Sequence, residues 1–294
     1  VYTLTCWRNS MTILDALARK FPNSSKTTLR EMLAARRVRV GGVEIISAKH
    51  EIGDDDVVVV SQKDRRGSSN ELPFDIVYQD SSLIVINKPA GLLTSSVPRE
   101  KRPTALGILR QHFKGKFERI GLVHRLDMDA SGLLVFSANE EAHHELKRQF
   151  ADKSAQRFYH AIVDKPVLEG IGKIDSFLVE LVDGSVRPTL DRKQGKRAIT
   201  HFKVVKRAHK KFTLLEVKLE TGRKHQIRAH LLEKGWPILG DPLYHPNRLI
   251  NKERMMLAAT KLVLAHPKTG KPLEWSLDLP EEFKAILKPN GSST

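Results

Sequence analysis

The stretch GLVHRLDMDASGLLVF, residues 121–136, constrains the fold more than any other part of this chain. Its apolar ends, Gly121-Leu122-Val123 and Leu133-Leu134-Val135-Phe136, read as short strands fit for a core. Between them stand His124, Arg125, Asp127 and Asp129. A carboxylate left alone where two core strands meet protonates or unfolds its surroundings. Beside a guanidinium it stays ionised, and an ionised, partly desolvated carboxylate is a competent nucleophile. A structural buried salt bridge is the other reading, and composition does not decide between the two.

Charge narrows the partners. The 294 residues give room for one large and one small domain, and 50 Lys+Arg against 34 Asp+Glu leave a net charge of +16. Such an excess favours a polyanion, because each neutralised phosphate releases counterions. Simple solubility and an anionic membrane surface are the competing explanations. The single cysteine, Cys6, excludes an intramolecular disulfide framework and a cysteine-based zinc site, which fits a reducing cytosol. No apolar run approaches the ~18 residues of a membrane helix, and the first residues hold no signal-peptide core. A cytoplasmic monomer with no membrane partner is expected. The chain begins at Val1 rather than Met, as expected of a trimmed or partial chain, and residues 1–10 carry no weight here.

Residues 11–60 read as a small unit. Ile13, Leu17 and Phe21 recur at helical spacing, and KTTLREMLAARR puts Leu29, Met32 and Leu33 on one face, with Ser24 or Ser25 available as a cap. VRVGGVEII reads as a hairpin about Gly41-Gly42, and DDDVVVV as a loop and closing strand. Lys26, Arg30 and Arg37 fall on one helical side beside Arg36 and the basic turn. A solvated charged face explains such a run equally well. The order of elements resembles the alpha-L RNA-binding module of a small-subunit ribosomal protein. Residues 61–71, SQKDRRGSSNE, read as a linker.

From residue 72 to 290 strand-like runs dominate: DIVYQ, LIVINK, GLLVF, FYHAIV, HFKVVK and FTLLEVKLE. NEEAHHELKRQF is helical, with Asn139 as its cap. Many strands with few helices predict an α+β domain on a mostly antiparallel, mixed sheet. RKQGKRAITHFKVVKRAHKK holds only basic charges and suits either an exposed hairpin or a ribbon tracking a phosphate backbone. Farther on, Arg223, Lys224, His225, Arg228 and His230 crowd together after a Thr-Gly turn. The two histidines lack the i, i+4 spacing and the glutamate of a HExxH helix, and His143-His144 point to different sides, so no metal site is expected. The cluster is suited to phosphate, or to pairing with a buried carboxylate.

These residues also carry a resemblance. HRLDMDASGLLVF resembles the signature of the RluA-type pseudouridine synthases: His-Arg-Leu-Asp, a short loop, then Ser-Gly-Leu. DIVYQDSSLIVINKPAGLLT, RFYHAIV and TGRKHQIRAHLLEKGWPILGDPLY resemble that family's other motifs in the same order, and the alpha-L module is a common companion of it. The likeness spans roughly residues 11–285. It implies that Asp127 is the catalytic aspartate, Tyr159 the tyrosine that packs on the target uracil and a proton acceptor, and Arg228 the partner of the carboxylate. Arg125 matches an arginine that enters the RNA stack in place of the flipped base, and Ile227 a wall of the base pocket. Met128 stands where a polar or basic residue is usual and Ala130 where Thr is usual.

The resemblance implies isomerisation of uridine in structured RNA, with ribosomal RNA favoured over transfer RNA and with neither cofactor nor metal required. Lys26, Arg30, Arg36, Arg37, Arg223 and Lys224, with Arg125, are the expected RNA contacts. Two alternatives stand beside it. One is a catalytically silent RNA-binding or ribosome-assembly factor, which loss of Asp127, Tyr159 or Arg228 would have favoured. The other is a nucleoside hydrolase or glycosidase pairing Asp127 with Asp129, which needs carboxyl groups ~5–9 Å apart.

Overall fold

In a computed structural model the described residues are 2–4, 11–22, 24–34, 37–40, 43–45, 47–48, 50–53, 56–60, 72–96, 101–246 and 254–288. Arg36, Gly41-Gly42 and the 61–71 stretch lie outside them. The chain divides into two compact units, Val1–Glu71 and Leu72–Thr294.

In the first unit, β1 (Tyr2–Leu4), β2 (Met11–Thr12), α1 (Ile13–Lys20), α2 (Lys26–Ala34), β3 (Val38–Val40), β4 (Val43–Glu44), β5 (Glu51–Ile52) and β6 (Val58–Val60) follow in order. Thr12 caps α1 through the Asp15 amide, and the Thr28 amide donates to Ser25 Oγ at 3.1 Å ahead of α2. Ile13, Leu17, Leu29 and Leu33 meet Val38, Val58 and Val60 in one small core. β1 pairs with β6, so the unit takes in residues upstream of the 11–60 span read from the sequence. Lys26 and Arg30 are exposed on α2, and Arg37 is half-buried just after it.

The second unit contains β7 (Asp75–Gln79), β8 (Leu83–Lys88), α3 (Ala105–His112), β9 (Gly121–Leu122), β10 (Ser131–Ser137), α4 (Glu140–Ala151), β11 (Gln156–Val163), β12 (Ile171–Glu180) and β13 (Val186–Thr189). β14 (Lys196–Ala208), β15 (Phe212–Leu219), α5 (Gln226–Glu233), β16 (Leu257–Ala265), β17 (Pro272–Ser276) and α6 (Glu281–Leu287) complete it. The described strands make one sheet in the order β13-β12-β14-β15-β11-β16-β10-β8-β7, with β17 on β16 and β9 on β10. All pairs are antiparallel except β10 with β16. The expected α+β class with a mostly antiparallel, mixed sheet is what forms.

β10 explains the unbroken apolar run of its sequence. Every one of its residues is buried, Leu134 and Phe136 against one core and Leu133 and Val135 against another on the opposite face. Gly132 is required where β10 meets β16. Its φ is +108°, and a Cβ there would lie 2.1 Å from the Ala259 carbonyl oxygen. The basic run from Lys196 is no exposed hairpin, because β14 pairs on both sides, with β12 and β15. Part of its charge is used internally: Arg197 pairs with Asp175 at 2.7 Å, and Arg207 donates to the Val167 and Leu168 carbonyls.

Candidate active site

Three stretches far apart in sequence converge because their strands are neighbours. Tyr159 of β11 pairs with Ala259 of β16, which pairs in turn with Gly132 of β10, so the three lie in one row across the sheet. The loop preceding β10 carries Asp127. The strand on the far side of β11 is β15, whose end leads through residues 220–225 into α5 and Arg228. The polar residues of the 121–136 stretch thus sit in a loop between β9 and β10.

That loop is fastened by its backbone. Lys88, fully buried, donates from Nζ to the carbonyls of Pro89 at 2.9 Å, Leu92 at 2.8 Å and Met128 at 3.0 Å. Burial lowers its ammonium pKa to about 8, with Asp129 and Asp127 opposing the fall. Thr94 Oγ1 donates to the Leu126 carbonyl at 2.7 Å, and the Gly91 amide also reaches Met128 O. Met128 is held through its main chain, so its departure from the usual residue type leaves these bonds untouched. Ala130 is buried.

Asp127 Oδ2 accepts from Arg228 Nη1 at 3.1 Å. Arg228 in turn donates Nε and Nη2 to the two oxygens of Asp241 at 2.7 and 2.9 Å. The Asp241 side chain is fully buried and also caps the amides of Leu243 and Tyr244. Arg228 lies over the Tyr244 ring, 4.9 Å from its centroid. Burial opposes the guanidinium's charge, but hydrogen bonds and charge from Asp241, together with Asp127, raise its pKa above the ordinary value. The result is a buried cation gripped from behind, with one edge presented to an accessible carboxylate: side-chain exposure is 4% for Arg228 and 21% for Asp127.

Asp127, Tyr159, Ile227 and Arg228 line one cavity of about 530 Å³, and Arg125, Arg223 and Lys224 line it too. Tyr159 is buried and its phenol pKa is raised by that burial, with Asp127 adding to the rise and Arg157 opposing it. The hydroxyl therefore stays protonated at neutral pH. Arg125 is exposed, and it forms no ion pair or side-chain hydrogen bond with any described residue. Lys224 pairs with Glu180 at 2.5 Å, and Arg223 Nε donates to the Arg197 carbonyl at 3.2 Å. The cationic cluster of the sequence is thus split: Arg223 and Lys224 face outward, while Arg228 and His230 are buried. Burial lowers the His230 pKa to about 4, and its ring meets Thr200 and Ser176 hydroxyls.

Asp129 is half-buried, does not line the cavity, and has its pKa raised chiefly by burial. The other carboxylate in the cleft, Glu220, is engaged by Lys153 and His201. Among the described residues no cluster of His, Cys, Asp or Glu has a metal-binding arrangement, and no helix is long and apolar enough to cross a membrane. Sequence reasoning left out Lys88, Thr94, Asp241 and Tyr244. Their signals were the Lys-Pro turn after LIVINK and the GDPLY turn, both conspicuous as turns but silent about pairing partners.

Known proteins resemble this chain over much of its length. The RNA pseudouridylate synthase family model matches residues 82–233. Ribosomal large subunit pseudouridine synthase D of Yersinia pestis is 32% identical over 93% of this chain and 89% of its own. The dual-specificity RNA pseudouridine synthase RluA of Haemophilus influenzae is 38% identical over 69% of this chain and 92% of its own. The solved structure of human RNA pseudouridylate synthase domain containing 4 superposes with a TM-score of 0.60 at 27% identity, covering 73% of this chain and 94% of that one. These matches show that the chain belongs to the RNA pseudouridylate synthase family, with the buried Arg228 behind an accessible Asp127, beside Tyr159, as its candidate active site.

Proposed function

We propose that this protein converts specific uridines of large-subunit ribosomal RNA to pseudouridine, with Asp127 as the catalytic carboxylate. The observation that carries the reading is the Asp127–Arg228–Asp241 chain opening into a cleft beside Tyr159 and Ile227. Relatives named for the ribosomal large subunit support the choice of RNA. The first unit, with Lys26 and Arg30 exposed on α2, acts as an alpha-L-type RNA-binding module, and Arg36 and Arg37 of its sequence add to its positive charge.

A stacked uridine is out of reach, so the base is extruded into the cleft. Arg125, exposed at the mouth, fills the vacated place in the RNA stack. Tyr159 packs on the uracil and Ile227 walls it. Arg228 keeps Asp127 charged and aimed as the glycosidic C–N bond breaks, and the carboxylate attacks or stabilises the charge that develops. The freed base turns in place, C5 bonds to C1′ of the ribose, the C5 proton leaves, and N1, released from the sugar, takes up a proton so that the product is an isomer. With its raised pKa, Tyr159 accepts that proton only while passing its own onward, so a relay to solvent or to Asp127 accompanies the step.

The test uses C5-tritiated uridine in large-subunit ribosomal RNA and in transfer RNA, with a chelator present. Tritium release with RNA of unchanged mass, and a carbodiimide-dependent reverse-transcriptase stop, is the expected outcome. Free uracil and an abasic site would replace isomerisation by hydrolysis. Release from transfer RNA alone would overturn the ribosomal assignment, and no release from any RNA would leave a silent binder.

A further inference from the structure

One wall of the cleft has no part in the reaction as derived. It is lined by Lys147 and Phe150 of α4, Lys153, and Arg157 of β11. Arg157 stands two residues before Tyr159, so both side chains leave the same face of the strand. It is partly buried, yet its guanidinium forms no ion pair or hydrogen bond with any described residue, and its Nε is shielded from solvent without a partner.

Its neighbours do not compensate for this. Glu220, the nearby cleft carboxylate, is held by Lys153 at 3.3 Å and His201 at 3.1 Å. The guanidinium lies over the Phe150 ring, 5.4 Å from its centroid, and that ring also stacks with His124 at 4.4 Å. Burial lowers the His124 pKa to about 3, so the imidazole is neutral, and it takes the Val135 amide at 3.1 Å. Its Nδ1 is a second shielded atom without a partner. Gly222 adds a geometric sign. A Cβ there would lie 2.8 and 3.1 Å from Arg157 Nη1 and Nη2, so the bare backbone is what lets the guanidinium lie against the 220–225 loop.

A cation drawn partly out of water is costly unless an anion meets it. The planar fork of an arginine matches two oxygens of a phosphate. We propose that Arg157, with Lys147 and Lys153 at the rim, binds a backbone phosphate of the substrate RNA beside the flipped nucleotide. A stacked base fits the wall less well, since the Phe150 ring is already occupied by His124 and Arg157. The proposal rests on the reading of an RNA substrate, and deepens it by placing the RNA backbone at the Arg157 wall of the cleft.

The test compares wild type, Arg157→Gln and Arg157→Lys for binding to a large-subunit ribosomal RNA transcript across a salt series, with single-turnover tritium release alongside. For Arg157→Gln the log–log salt slope becomes shallower by about 0.7–0.9, the signature of one phosphate no longer neutralised. The half-saturating RNA concentration rises about tenfold, roughly 1.4 kcal/mol, and by more than the saturating rate falls. Arg157→Lys restores the slope but not the full affinity, because the bidentate fork is gone. If the glutamine variant melts early, Arg157→Met keeps the stem packed on Phe150 and gives the same reading. An unchanged slope in a folded, uncharged variant overturns the proposal, as does a rate loss with no change in binding. Wild type that makes no pseudouridine while the slopes still differ would sink the synthase reading and leave the phosphate contact standing. Active wild type with equal slopes would sink the phosphate contact alone.

Discussion

Arg228 and Arg157 are guanidinium groups in one cleft, and they differ in everything except charge. Arg228 is buried, with one carboxylate clamped across Nε and Nη2 and another at Nη1. Arg157 has Phe150 beneath it and no carboxylate among the described residues. A cation whose donors are already committed cannot take up RNA phosphate, but it holds a neighbour in one place and one protonation state. A cation with uncommitted donors does the reverse. On the proposed reading the two arginines divide the work, Arg228 serving the chemistry and Arg157 the grip on RNA.

The largest effect belongs to the carboxylate that Arg228 holds. Asp127→Ala should reduce single-turnover pseudouridine formation below about a hundredth of wild type, since the reacting group itself is gone. RNA affinity should change only a few-fold, because Asp127 is an anion that makes no phosphate contact. Single-turnover tritium release above a tenth of wild type would remove Asp127 from the reaction and erase the distinction between the two arginines.

Asp241→Ala breaks the same pairing from behind. It leaves the Arg228 guanidinium buried with only Asp127 to face, and removing one partner of a buried pair costs about 3–5 kcal/mol. A lowered urea midpoint should accompany a loss of rate at saturating RNA, as Arg228 loses the clamp that fixes its orientation toward Asp127. Stability within about 1 kcal/mol of wild type would mean that Arg228 is solvated rather than gripped, contrary to its 4% exposure.

How much of this was legible in the sequence depended on whether a residue's partner left a local trace. DIVYQ and LIVINK form β7 and β8 as read, because runs of β-branched and aliphatic residues between turn signals specify strands. The Asn139 cap and α4 followed from local chemistry, with Asn139 Oδ1 accepting from the Ala142 amide at 2.8 Å. QIRAHLLE was missed as a helix. Residues 226–231 are all buried, so α5 has no polar face to set a period. LAATKLVLA was missed as a strand because β16 is in the middle of the sheet and carries two alanines, which have little β preference, directly after Leu257. Asp127 stood out as a charge between apolar runs, whereas Arg228 was one of a cationic cluster and was singled out by the family resemblance. Asp241 looked like any turn aspartate, and only the folded chain brings it to Arg228. Arg157 carried a clue in its spacing from Tyr159, but its lack of a partner exists only in three dimensions.

The first unit carries basic residues of its own. Between Arg19 and Lys49 that unit carries eight Lys/Arg against Glu31 and Glu44. Deleting residues 1–66 should weaken RNA binding and reduce the log–log salt slope by about 0.7–0.9 for each phosphate that the unit had neutralised. Residual tritium release should survive, because the second unit has its own cores and the whole Asp127 cleft. An unchanged slope would show that this surface does not touch the backbone, and would concentrate the phosphate grip in the cleft.

The smallest effect concerns two uncharged histidines, His124 lining the cleft and His230 buried on α5. Burial lowers His124 to about 3 and His230 to about 4, against an ordinary value near 6.5. Below pH 6.5 the unfolded chain takes up these protons while the folded protein does not, so falling pH favours unfolding. The stability is fully present above pH 6.5 and is lost as pH falls toward 4 for His230 and 3 for His124. Between pH 7 and pH 5.5 the loss is about 1 kcal/mol for each, since one pH unit corresponds to about 1.4 kcal/mol. Urea unfolding at the two pH values measures the sum. His230→Gln should reduce the pH-dependent part by its share while lowering stability at pH 7, as the bonds to Thr200 and Ser176 are altered. An equal fall in wild type and variant would mean that His230 titrates in the folded protein much as it does unfolded. The interior behind α5 would then be wet enough to solvate charge, and Arg228 would not need Asp241 to stay there.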